Sequence, residues 1–97
     1  MPTYISLLNW TQKGIENIKE SPSRLDAAKQ VYRSMDAEIK AFYMAMGQYD
    51  MVIVAEVPND ETVAKLALTL ASKGAVRTET LRVFSEAEYR KIVGTLP

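Results

Sequence analysis

Apolar and polar positions change period several times along this chain, and each change marks an element. Residues 3–10, TYISLLNW, form a short β-rich run. Its alternation places Ile5 and Leu7 on one side and Tyr4, Leu8 and Trp10 on the other. Both sides carry bulk, which marks a central strand covered on both faces. Thr11 is placed to cap a short helical stretch over 11–20, where Ile15 and Ile18 lie three apart. Pro22 disfavours helix at Ser21, and Ser23 then caps a helix over 23–35 whose Leu25, Ala28, Val31, Tyr32 and Met35 recur at helical spacing.

Residues 38–46, EIKAFYMAM, read as a second strand, with Ile39, Ala41, Tyr43 and Ala45 on one side and Glu38, Lys40, Phe42, Met44 and Met46 on the other. Gly47-Gln48-Tyr49-Asp50 is a turn signal. Residues 51–57, MVIVAEV, are the strongest strand in the chain; Met51, Ile53, Ala55 and Val57 share one face, and Val52, Val54 and Glu56 the other. Pro58 ends that strand and Asn59 or Asp60 caps a helix with Val63, Leu66, Ala67, Leu70 and Ala71 as its buried stripe, closed at Gly74. A last strand over 76–84 precedes a short terminal helix capped at Ser85, with Tyr89, Ile92 and Val93 as its apolar positions.

The order β, α, β, β, α, β with a tail helix predicts an α+β, ferredoxin-like βαββαβ fold. It has a four-stranded antiparallel sheet and two main helices on one face, because each βαβ half crosses right-handed. The other face is left open. Tyr4, Leu8 and Trp10 of the first strand, or Val52 and Val54 of the third, are left on it, and a domain of this size has no third layer to cover them. An apolar patch of that kind marks a partner surface. The expected partner is a second subunit, sheet against sheet.

Length and composition then bound the chemistry. With 97 residues, 47% of them apolar, the chain is expected to be one domain over 1–97. Twelve basic and twelve acidic residues give a net charge of zero. That leaves no general pull toward nucleic acid or anionic membrane and little resistance to self-association. No basic leader and no long apolar run is visible, so a cytoplasmic protein is expected. The chain has neither cysteine nor histidine. A thiolate nucleophile, a Ser-His-Asp triad and a Cys-based metal site are excluded within it, the commonest metal ligand is missing, and no cofactor is expected.

Several residues stand out against this background. Gly47, Tyr49 and Asp50 read either as a tight turn, with Gly47 at positive φ and Asp50 bonding nearby N–H groups, or as a phenol–carboxylate pair at the sheet's end. Glu56, in an otherwise apolar strand, is either ion-paired with Arg77 or Arg82 or buried with a raised pKa as a base. Tyr4, Ser6, Tyr43, Thr78, Thr80 and Arg82 are expected to share the open face with Glu56 and line a small polar-centred pocket beneath the partner sheet; ordinary interface polarity is the alternative. Asn59, Asp60 and Glu61 sit where a helix needs its cap, and Gly14 and Gly74 do not form a phosphate loop.

Tyr4-Ile5-Ser6-Leu7-Leu8-Asn9-Trp10-Thr11, Gly14-Ile15, the 19–24 stretch, Gly47-Gln48-Tyr49-Asp50 and Val76-Arg77-Thr78-Glu79-Thr80-Leu81 together resemble the GYD domain family, in order and over nearly the whole chain. The resemblance implies a ferredoxin-like fold related to the dimeric α+β barrels. It implies no established activity. The sequence leaves two functions open. One is a non-catalytic homo-oligomeric module, at least a dimer, that takes a small apolar or aromatic ligand. The other is a cofactor-independent isomerase or monooxygenase, with Glu56 or Asp50 as base and Tyr4, Tyr43 or Tyr49 as donor. RNA binding is disfavoured, because the third strand carries acids and no aromatics.

Overall fold

The computed structural model describes residues 1–97. Its strands are β1 (Thr3–Trp10), β2 (Glu38–Met44), β3 (Met51–Glu56) and β4 (Val76–Val83). Its helices are α1 (Gln12–Glu16), α2 (Ser21–Ser34), α3 (Asp60–Ser72) and α4 (Glu86–Gly94), with a 3₁₀ turn at Ile18–Glu20. The strands form one antiparallel sheet in the order β2-β3-β1-β4, as the ferredoxin-like pattern requires.

Local chemistry sets the element ends. Thr11 caps α1 by accepting from Gly14 N–H, Asn59 caps α3 by accepting from Thr62 N–H, and Ser85 and Glu88 form a capping box on α4. The second helix begins two residues before the sequence suggests. Ser21 takes helical angles and Pro22 sits in the first turn, where no N–H donor is needed. Gly14 is forced by contact: a Cβ there would stand 2.1 Å from the Ala75 carbonyl oxygen. The same junction is tied by Thr11, which donates its N–H to Ala75 and its hydroxyl to Gly74.

Register assigns every strand residue to a face. The helix-covered side carries the rows Ile39–Ala55–Tyr4–Arg82, Phe42–Ile53–Ser6–Thr80 and Met44–Met51–Leu8–Thr78. Tyr4, Leu8, Met51, Ile53 and Ala55 of these rows are buried, with Val57, Tyr32 and Leu66 among the side chains packed with them. The bare side carries Glu38–Glu56–Thr3–Val83, Ala41–Val54–Ile5–Leu81 and Tyr43–Val52–Leu7–Glu79. Two expectations are corrected here. Tyr4, Leu8 and Trp10 lie under the helices, and Ile5 and Leu7 are the residues left uncovered; the two sides of β1 are similarly greasy, so alternation alone does not orient it. In β2 a bulge between Ile39 and Ala41 inverts the parity, placing Ile39 with Phe42 and Met44 rather than with Ala41 and Tyr43.

The molecule measures 52 × 31 × 18 Å, its shortest dimension that of one helix layer on one sheet. Its radius of gyration, 14.7 Å, exceeds the about 12.5 Å of a compact chain this long. α4 contributes to that excess, because it does not pack into either layer and Tyr89, Ile92 and Val93 stay exposed. No helix is long and apolar enough to cross a membrane.

Candidate functional site

The residues singled out from the sequence divide between the two faces of the sheet. Tyr4, Ser6, Thr78, Thr80 and Arg82 lie on the helix-covered side, while Tyr43 and Glu56 lie on the bare side, in rows two apart. The shared open-face arrangement is therefore corrected. β1 turns Tyr4, Ser6, Leu8 and Trp10 toward the helices and Thr3, Ile5, Leu7 and Asn9 outward.

On the covered side four of these residues come together under the N-terminus of α3. The Tyr4 hydroxyl donates to the Asp60 carboxylate, and Ser6 and Thr80 hydroxyls lie 3.2 Å apart. Arg82 is placed over the Tyr4 ring at 5.7 Å and over Phe84 at 4.3 Å, and its guanidinium reaches Glu88 at 4.0 Å. The cluster borders a cleft of ≈320 Å³ lined also by Val63, Ala64 and Ala67 of α3. The hydrogen bond to Asp60 raises the Tyr4 pKa, burial and the carboxylate's charge raise it further, and Arg82 opposes the shift. Tyr4 therefore stays a neutral donor at physiological pH and does not supply a phenolate base. Deeper in, burial raises the Tyr32 pKa, partly offset by hydrogen bonding with Ser6. The arrangement offers one cation, one carboxylate and several hydroxyls for hydrogen bonding. Asp60 was legible in the sequence only as a helix-cap candidate; because Asn59 takes the cap, the Asp60 carboxylate is free to receive Tyr4.

Gly47, Tyr49 and Asp50 form a staple. Gly47 has φ +124°, a left-handed value that favours glycine, and lets the β2–β3 loop turn back over the end of β1. Asp50 donates its N–H to Leu8, and its carboxylate accepts the Trp10 N–H at 3.0 Å. The Tyr49 hydroxyl reaches the Glu79 carboxylate on β4, and that bond raises the Tyr49 pKa. The phenol–carboxylate pair at this end of the sheet is thus Tyr49 with Glu79, and Asp50 binds backbone.

Glu56 has no ion-pair partner. Arg82 is on the other face and bound to Glu88, and Arg77 stands opposite Asn9 at the far end of β1. Glu56 faces Thr3 and Glu38 on the bare side, away from the Tyr4–Asp60 cleft of the covered side. No cluster of three acidic side chains suited to a metal ion is assembled.

The bare face is the larger feature. Ile5, Leu7, Val52, Val54 and Leu81 adjoin one another across three strands, flanked by Tyr43 and Ala41 on β2. No layer covers them, and Leu81 remains 44% exposed. At one edge of the sheet, the bulge beside Lys40 and its 3.2 Å pair with Glu38 blunt β2 against strand addition.

Comparison with known proteins adds a family and a relative. The family model for the GYD domain matches residues 4–93. A protein of Thermus thermophilus, named glutamine synthetase and cystathionine beta-lyase binding protein, is 37% identical over 89 residues, covering 91% of this chain and 94% of that one. No solved structure matches the chain.

Proposed function

The chain belongs to the GYD domain family, and from that premise we propose that it is a non-catalytic protein-binding module that self-associates through the bare face of its sheet and, once assembled, binds metabolic enzymes. The observation that carries the reading is the uncovered row Ala41–Val54–Ile5–Leu81 with Val52 and Leu7 beside it. Removing contiguous aliphatic side chains of this kind from water contributes about 25 cal/mol for each Å², against which the entropic cost of association is set. Zero net charge removes the electrostatic barrier to bringing copies together. The enzyme partners are suggested by the relative's name, which makes glutamine synthetase and cystathionine beta-lyase the first candidates. A cytoplasmic location fits those partners. A catalytic reading gains nothing from the geometry, since Glu56 lies on the face opposite the Tyr4–Asp60 cleft and the Asp50 carboxylate is engaged by a backbone N–H.

The test is direct binding of the two purified enzymes of the source organism to the immobilised chain, beside a Val54→Lys variant whose fold is checked by circular dichroism. The expected result is saturable binding of at least one enzyme to the wild-type chain, weakened at least tenfold in the variant. Binding of neither enzyme, or equal binding by the variant, overturns the reading.

A further inference from the structure

A second cleft, of ≈410 Å³, opens where α2 and α3 diverge above the sheet, at the end opposite the Tyr4–Asp60 cluster. Leu8, Trp10 and Phe42 form its floor, and Leu25 and Leu70 its sides. Its volume falls in the range that accepts small organic ligands. The charged residues bordering it are Arg24 and Lys73, both cationic, and no carboxylate lines it. Arg24 is held in place by hydrogen bonds to the carbonyls of Asn17 and Gly14 and is paired with Glu20 at 3.9 Å. Lys73 is exposed at the C-terminal end of α3 and forms no salt bridge. An apolar trough with two positive charges at its border is complementary to one chemistry: an apolar body carrying a single anionic head.

We propose that this cleft is a binding site for a small amphipathic organic anion, an aliphatic or aromatic carboxylate whose hydrocarbon part lies on Leu8, Trp10 and Phe42 and whose head meets Arg24 and Lys73. The site is distinct from the bare face, and occupancy does not require self-association. Without a ligand, side chains on the inner surfaces of both helices stay partly wet. A ligand that covers them bridges α2 and α3 and stiffens the helix layer.

The chain's single tryptophan lines the cleft, so its emission reports occupancy directly. Laurate is titrated against the full chain below its micellar concentration, beside dodecanol and dodecyltrimethylammonium as neutral and cationic probes. The expected result is saturable change in Trp10 emission with laurate, binding at least tenfold tighter than the cationic probe. Affinity should fall about fourfold for each methylene removed from the acid. Lys73→Glu, at an exposed position, should weaken laurate about tenfold and leave dodecanol unchanged. Ala27→Phe, which fills the cleft from an exposed helix position, should weaken both. Equal affinity for all three probes, an unaltered laurate affinity in Lys73→Glu, or no saturable signal overturns the proposal. Because each readout is made on the chain alone, failure here leaves enzyme binding and self-association untouched, and the reverse also holds.

Discussion

The two faces of one sheet are built from alternate residues of the same strands and meet opposite fates. On the covered side Tyr4, Leu8, Met51, Ile53 and Ala55 are each 5% exposed or less, sealed by α2 and α3. On the bare side Ile5, Leu7, Val52 and Val54 are shielded only by their strand neighbours. Hydrophobicity does not separate the sets, because Ile5 and Val54 are as apolar as Leu8 and Ile53. Two right-handed crossovers deliver both long helices to one side, so the fold itself produces a greasy surface that it has no element left to cover. One face therefore carries the stability of the fold, and the other is left for the association proposed above.

That division breaks first at Leu66, which is fully buried on α3 against the covered face. Leu66→Ala should destabilise the protomer by about 2–5 kcal/mol in urea unfolding, from lost transfer energy and the cavity left behind. Leu81→Ala on the bare face should cost the dissociated protomer under about 1 kcal/mol, its side chain being half wet already. Equal losses would mean the faces are not energetically distinct. A smaller effect, about 1–3 kcal/mol, is expected for Gly14→Ala, because the added methyl group meets the Ala75 carbonyl and must push α1 from the start of β4.

Asp50→Ala sharpens the comparison at the sheet's end. It strips the Trp10 N–H of its acceptor and should cost about 1–2 kcal/mol, read by thermal unfolding, with faster hydrogen exchange at Trp10. The smallest effect concerns pH. Tyr4 holds its proton more tightly folded than unfolded, so the stability it contributes is complete below pH 10 and fades as pH rises through its raised value. Asp60→Asn removes the main cause of the shift and should lower the Tyr4 titration, observed as phenolate absorbance.

Element order and three caps were legible because each rests on local chemistry: Thr11, Asn59 and Ser85 cap where their hydroxyl or amide oxygens permit, and Val57 and Leu66 sit at the bottom of unambiguous stripes, whereas the expected Ser23 cap lies inside α2, which starts at Ser21 without a side-chain cap. The faces of β1 and β2 were not legible. β1 has bulk on both sides, and the β2 bulge changes parity without a sequence mark beyond weak alternation. The grouping of the polar residues failed for the same reason. Tyr4, Ser6, Thr78, Thr80 and Arg82 do share a face, but it is the covered one, and Tyr43 and Glu56 do not join them there. The Tyr4–Asp60 bond spans 56 positions and the Tyr49–Glu79 bond 30, and neither leaves a trace in local spacing. The cleft between α2 and α3 depends on how far two helices diverge, a tertiary quantity with no sequence period.

Self-association requires that the bare sheet face be covered in solution by another copy of the chain. Sedimentation equilibrium of the wild-type chain at micromolar concentration tests it without reference to any enzyme. The expected mass is at least twice 10.9 kDa, falling toward 10.9 kDa for Val54→Lys with its secondary structure retained. A wild-type chain that sediments at 10.9 kDa across that range would contradict it.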